Sequence, residues 1–281
     1  MNNIRLVVSD LDFTLLNSER KLSAVTQKML QKIVDAGVQV VPCSARPITL
    51  MPSWFTENPA VKYLVCSNGA VIMDNQTRKP LKRFTLSNKT VLAIIHTAKA
   101  TPYWTVAVDG KFHSHVDIIR DFDRIGKTEG FVEDLLKTRI IEDNEDFISR
   151  CPEGSIEKVH LITAALSEQQ RDQLIRQLSC IEGIKVSSSH KSNLEIFHPQ
   201  AGKGEAVRWL MKTMDLTKEQ VVACGDNEND LPMLKEAGIR IAVANATPQV
   251  KACADLLAED CDHDGVVRSL CDLLKIEKED L

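Results

Sequence analysis

Two short acidic constellations stand out in this 281-residue sequence. Asp10-Leu11-Asp12-Phe13-Thr14 follows the apolar run Ile4 to Val8, and Gly225-Asp226-Asn227-Glu228-Asn229-Asp230 follows the apolar run Val221 to Cys224. A carboxylate at a strand end can attack a phosphorus centre as a nucleophile. It does so only where a hard cation screens the repulsion between carboxylate and phosphate, and magnesium suits one or two carboxylates together with phosphate oxygens and water. Asp226 supplies the further carboxylate such a cation needs. Asn229 and Asp230 fall where the next helix begins, a place where acidic and amide side chains also act as caps. A single acidic turn after a strand is ordinarily a cap or a solvated loop. Two of them at one edge of one sheet argue instead for a cation site.

Ser44 and Arg46 lie after the run Val38 to Cys43, and Lys203 lies between Gly202 and Gly204 at the start of a helical pattern. A hydroxyl, nearby backbone N–H groups and a lysine can hold the non-bridging oxygens of a transferring phosphoryl group. Each alone reads equally well as a turn or solvated loop residue.

These residues need a scaffold that brings them to one edge. Ile4 to Val8 is short and rich in β-branched residues, as expected of a buried parallel strand. Ser23 introduces a helical pattern over Val25, Met29, Ile33 and Val34 that Gly37 closes. Val38 to Cys43 and Tyr63 to Cys66 follow as strands, the latter running into Ser67-Asn68-Gly69. The alternation returns late: Asn193 to Phe197 (strand), Lys203 to Met214 (helix), Val221 to Cys224 (strand), Asp230 to Ala237 (helix) and Ile239 to Val243 (strand). Strands alternating with helices predict an α/β fold, a parallel sheet covered on both faces, in which ligands bind beyond the carboxyl ends of the strands. Between these halves the pattern changes. A hairpin is expected around Asp74-Asn75-Gln76-Thr77. Helices are then expected at Val91 to Lys99 and Glu168 to Leu178, and strands at Trp104 to Val108, Val159 to Thr163 and Ile184 to Ser187. This is the signature of an inserted α+β cap. The expected division is a Rossmann-like core from 1–82 and 190–281 and a cap from 83–189.

Composition bounds the function classes. With 43% hydrophobic and 26% charged residues the chain can bury ordinary cores. A net charge of −4, with both signs interspersed, offers no nucleic-acid footprint. The first residues lack a secretory pattern, and no apolar stretch approaches a membrane span, so a soluble cytoplasmic enzyme is expected. The eight cysteines form no C-x-x-C pair and read as reduced, mostly buried thiols. His113-x-His115 has ligand-like spacing but reads as ordinary core or surface histidine. Asp260 to Asp264 lacks the remainder of a calcium loop. Nothing in the sequence bears on oligomeric state.

In order and spacing the chemistry-bearing residues resemble the haloacid dehalogenase superfamily, and within it the Cof-type phosphatases. Asp10/Asp12, Ser44, Lys203 and the Gly-Asp-x-x-Asn-Asp turn match its four motifs; Ser67-Asn68-Gly69-Ala70, Asn245-Ala246 and Asp264-Gly265-Val266 match further Cof-type segments. The resemblance implies a magnesium-dependent phosphatase acting on a small phosphorylated metabolite, such as a sugar phosphate, through an aspartyl-phosphate. Asp10 would be nucleophile and metal ligand. Asp12 would be general acid and then base, with its backbone carbonyl on the metal, and Asp226 would complete the Mg2+ site. Ser44, Lys203 and Asn229 would hold phosphate, with Asp230 orienting Lys203 and with Arg46 and Asn68 in the adjoining substrate-binding loops.

Two departures accompany it. Ser44-Ala45-Arg46 replaces the usual Thr-Gly-Arg, which keeps the hydroxyl. Phe13 replaces a glycine; the expectation is a negative φ there, with the ring packed beneath the loop. A phosphomutase, or a non-catalytic phosphate-binding protein of the same fold, is the alternative. A dehalogenase is disfavoured because Asp12 supplies the second acid that phosphate chemistry uses.

Overall fold

The computed structural model describes residues 3–188 and 191–277. The chain divides into two compact units, one formed by Met1–Arg46, Met51–Lys82 and Gly202–Leu281, the other by Pro47–Leu50 and Arg83–Ala201.

The first unit is built on a parallel five-stranded sheet in the order Leu256–Ala258, Ile239–Val243, Val221–Gly225, Leu6–Ser9, Gln39–Pro42. The central strands are apolar throughout, and Leu6, Val7, Val8, Val40, Val41, Val222 and Ala223 are fully buried. This is the pattern of a sheet covered on both faces. The helix Ala24–Asp35 packs against Gly265–Leu274, and Lys203–Met214 against Leu231–Glu236. Ser23 caps the first of these helices by accepting from the Thr26 N–H, and Gly37, at φ +87°, turns the chain away from its end. A smaller sheet, Tyr63–Cys66, Val71–Asp74 and Pro80–Arg83, contains the expected hairpin. It joins the large sheet through a bridge between Cys43 and Val65.

The second unit is an α+β sandwich. Its six-stranded sheet runs Lys185–Ser187, Asn193–Phe197, Ile156–Ile162, Trp104–Val108, Lys111–His115, Arg139–Glu142, antiparallel except for the last pair. Trp104, Val106, Val159, Leu161, Leu194 and Ile196 face one apolar core together with residues of the helices Asn88–Thr97 and Glu168–Leu178.

Asn193–Phe197 was expected among the parallel strands of the first unit and belongs instead to this antiparallel sheet. Its sequence specifies a strand but not a neighbour. The neighbour is selected by Glu195, which is buried and takes an ion pair from Lys158 of the adjacent strand at 2.6 Å. The second unit therefore runs on to Ala201. The expected junction at 189/190 lies outside the described residues. No helix among the described residues is long and apolar enough to cross a membrane.

Candidate active site

Three adjacent strands of the parallel sheet deliver the site. Asp226 immediately follows Val221–Gly225, Asp10 immediately follows Leu6–Ser9, and Ser44 follows Gln39–Pro42 after the intervening Cys43. Asp10 is anchored by its N–H, which donates to the Cys224 carbonyl at 3.0 Å. Lys203, the first residue of its helix, is 2% exposed and its ammonium donates to both Asp10 and Asp230, the latter at 2.6 Å. Asp230 is fully buried. Its second oxygen accepts the N–H groups of Asp226 and Asn227 at 3.0 and 3.1 Å, so it braces the acidic turn while holding the lysine. Gly225 makes this possible: a Cβ there would come within 2.6 Å of the Asp230 side chain. Thr14 donates to Asp226 Oδ1 at 3.0 Å and ties the two acidic segments together.

Carboxylate oxygens of Asp10, Asp226 and Asp230 all lie within 4.8 Å of one another. Three carboxylates face one ammonium, and the surplus of two negative charges (three minus one) matches a divalent cation. The donors are hard oxygens, as magnesium prefers. Because both oxygens of Asp230 are engaged by Lys203 and the backbone, Asp10 and Asp226 are the side chains that fit the role of metal ligands. Burial pushes Asp10 well above the carboxylate range; the charges of Asp230, Asp226 and Asp12 add to this and Lys203 opposes it. Burial, then the Asp230 charge, pushes Asp226 up to about 7. Burial works against the Lys203 charge, but Asp10 and Asp230 outweigh it and hold the ammonium protonated.

Asp12 stands apart from this cluster. Arg46 grips it with a two-pronged fork, Nε to Oδ2 at 2.9 Å and Nη2 to Oδ1 at 2.6 Å. Burial would raise Asp12, but the Arg46 hydrogen bonds and charge, with smaller contributions from Arg20 and Lys203, bring it below the ordinary carboxylate value.

Ser44 is buried, its Oγ accepting from the Arg46 N–H at 3.2 Å. The Ser44 to Arg46 segment is held by the loop after Tyr63–Cys66: Asn68 N–H donates to the Ser44 carbonyl and Ser67 N–H to the Arg46 carbonyl, both at 2.9 Å. Ser67, Asn68 and Gly69 all have positive φ, and a Cβ on Gly69 would strike the Gly202 carbonyl at 2.3 Å. Only glycine lets this loop abut the start of the Lys203 helix. Asn68 is thus buried beside the site. Asn229 lies half-buried in the Glu228–Asp230 turn and takes no part in the bonds described above.

Phe13 departs from expectation. Its φ is +60° and its ring is 39% exposed rather than packed beneath the loop. Leu11, Thr14, Leu15 and Leu16 around it are all buried, and their packing, with Asn245 donating to the Phe13 carbonyl at 2.8 Å, sets the backbone and turns the ring outward. Thr14, Asn245 and Arg20 are residues of this region to which no role was assigned from sequence. Thr14 was signalled by its place in the Asp10-to-Thr14 string; Arg20 carried no signal. His113 and His115 lie in the second unit, where His113 stacks on Phe147 and His115 lies against Trp104.

The chain resembles known proteins over nearly its whole length. The family model described as haloacid dehalogenase-like hydrolase matches residues 7–270. A Haemophilus influenzae protein provisionally named a phosphatase is 28% identical over 264 residues, 93% of this chain and 95% of its own length. The 5-amino-6-(5-phospho-D-ribitylamino)uracil phosphatase YwtE of Bacillus subtilis is 24% identical over 290 residues, covering 96% and 98% of the two chains. Among solved structures, the subclass IIB sugar phosphatase BT4131 superposes with a TM-score of 0.77 at 16% identity, over 97% of this chain and 100% of that one.

Proposed function

As a member of the haloacid dehalogenase-like hydrolase family, in its Cof-type branch, the chain is a hydrolase, and we propose that it is a magnesium-dependent phosphatase that cleaves a small phosphomonoester through an aspartyl-phosphate on Asp10. The observation that carries this reading is the cluster of three carboxylates, Asp10, Asp226 and Asp230, around the buried ammonium of Lys203 at the carboxyl edge of the sheet.

Asp10 and Asp226 would hold the cation, with the backbone carbonyl of Asp12; when bound it screens the charge between Asp10 and the phosphate and neutralises the phosphoryl oxygens. A carboxylate oxygen of Asp10 attacks phosphorus as the ester P–O bond breaks, and Asp12 gives its proton to the leaving oxygen. Asp12, now a carboxylate, takes a proton from water. That water attacks phosphorus, the Asp10–phosphorus bond breaks, and inorganic phosphate leaves. Lys203 and the Ser44 hydroxyl hold phosphoryl oxygens throughout, and Asp230 keeps Lys203 charged and aimed. For Asp12 to carry a proton, the Arg46 fork on it has to open. Substrate binding supplies the occasion, because a phosphate competes for the same guanidinium. The second unit serves as the cap, contributing recognition of the rest of the substrate. The relatives' names support small phosphorylated sugars and polyols as the substrate class.

The test is phosphate release from a panel of phosphorylated metabolites, with magnesium and with chelator. Accumulation of an isomer without free phosphate would mark a mutase, and no turnover of any ester would mark a binding protein.

A further inference from the structure

The buried residues around Phe13 hold it at φ +60° and leave its ring exposed. A bulky residue at φ +60° is strained relative to a glycine. With 39% of the residue exposed, the ring recovers only part of the apolar burial it could contribute. The consequence is an exposed aromatic ring on the residue that follows Asp12.

Arg20 is presented to the same place. It closes the tight turn that begins at Asn17, its N–H donating to the Asn17 carbonyl at 2.8 Å, and it too has φ +60°. Its side chain is exposed, its guanidinium lies 5.9 Å from the centroid of the Phe13 ring, and its charge reaches Asp12. Among the described residues that guanidinium makes no ion pair with a carboxylate. Arg46 holds Asp12 directly. The general acid therefore has one guanidinium hydrogen-bonded to it and a second, by the ring of the neighbouring residue, whose charge acts on it.

This arrangement has chemical content, because Asp12 protonates the ester oxygen and the carbon skeleton of the leaving group begins at that oxygen. From the juxtaposition of Phe13, Arg20 and Arg46 around Asp12 we infer that the leaving-group subsite selects phosphate esters whose leaving group bears an anionic substituent, a phosphorylated hydroxy acid rather than a neutral sugar. The skeleton packs on the Phe13 ring and the carboxylate pairs with Arg20, while Arg46 turns to the phosphate. Uncharged polyol esters lack the group that Arg20 is placed to meet. The inference rests on the phosphatase reading and departs from the neutral sugars and polyols that the relatives' names suggest, in favour of anionic esters.

A matched pair of probes tests it: 3-phosphoglycerate and glycerol 3-phosphate share a three-carbon skeleton and differ in a carboxylate against a hydroxymethyl group. The intact protein with magnesium should favour 3-phosphoglycerate in kcat/KM by about tenfold or more, the gain expected of one charge-assisted pair. Arg20→Ala should bring that ratio to near one, and Arg20→Glu should invert it. Phe13→Gly should raise KM for both esters and leave the ratio unchanged. Calorimetric binding of the same two esters to the Asp10→Asn protein reads the same ratio without turnover. A preference for glycerol 3-phosphate, or a ratio in binding and turnover that Arg20→Ala leaves untouched, overturns the inference while the phosphatase reading stands. Binding that discriminates through Arg20 without hydrolysis by the intact protein supports the subsite and overturns the phosphatase reading.

Discussion

Arg46 holds both carboxylate oxygens of Asp12 at once, at 2.9 and 2.6 Å, in a part-buried setting. A lysine in its place would offer a point charge without the planar match. Removing the guanidinium altogether lets burial, the largest influence on Asp12, act against only the smaller charges of Arg20 and Lys203. In Arg46→Ala the Asp12 carboxyl should therefore titrate higher than in the parent. Carboxyl-carbon NMR on metal-free protein checks the direction; an unmoved or lowered titration would show that the fork does not govern this acid.

The acid–base role of Asp12 predicts a dependence on leaving group. Removing a general acid typically costs about 10²- to 10⁴-fold in rate. Asp12→Asn should lose most on an alkyl phosphate and less in the first step on p-nitrophenyl phosphate, whose phenolate departs without a proton. Equal losses on both would assign Asp12 to positioning alone.

Asp10→Asn should fold and bind ester yet lose turnover by at least about 10⁴-fold, as loss of a nucleophile does. The amide cannot form the acyl-phosphate, and it removes one of the crowded buried carboxylates. Circular dichroism and phosphate release read the two halves of this statement.

Metal binding should be coupled to a proton. Asp226, at about 7 in the metal-free site, must be ionised to ligate, as must Asp10, which burial also raises, so magnesium affinity should fall as pH drops below 7. The sign for stability is the reverse. A carboxyl raised above its unfolded value disfavours the metal-free fold where it must be charged. The metal-free protein should therefore gain stability as pH falls through 7, down toward the unfolded carboxylate value of about 4. Calorimetry across pH 5.5 to 8.5, with melting curves of metal-free protein, tests both; Asp226→Asn should make both curves shallower, with the raised Asp10 left to titrate.

Lys203→Met would leave Asp10 and Asp230 without their shared cation. Breaking a buried ion pair from one side costs about 3–5 kcal/mol. Magnesium should restore part of the loss, so the melting temperature of this variant should respond to the metal more steeply than that of the parent.

Much of this site could be read before any coordinates, because it is made of residues at strand ends. Apolar runs at Leu6, Gln39 and Val221 placed Asp10, Ser44 and Asp226 at the same edge, and the helix from Lys203 to Met214 was delimited by its own periodicity. The failures share a cause. Asn193–Phe197 showed itself as a strand, yet its partner depends on a lysine 37 positions before Glu195, with which it pairs. Lys111–His115 was overlooked although Asp109-Gly110 supplies a turn signal, its alternating polar residues resembling a loop. The steric preference of Phe13 taken alone predicts a negative φ, whereas the buried leucines around it determine the backbone. Arg46 on Asp12 is a side-chain choice made across 34 residues and has no local signature.

The pairing of Leu6–Ser9 with Val221–Gly225 at the centre of the sheet has a consequence in time. During synthesis the first strand leaves the ribosome long before its neighbour exists, and closing so long a loop is slow as well as entropically costly. Residues 83–201 are complete well before then and have an apolar core of their own around which to fold. Asp10 and Asp226 therefore meet only after the second unit is complete, and a nascent chain stalled before residue 226 should hold a folded second unit and no capacity to capture magnesium.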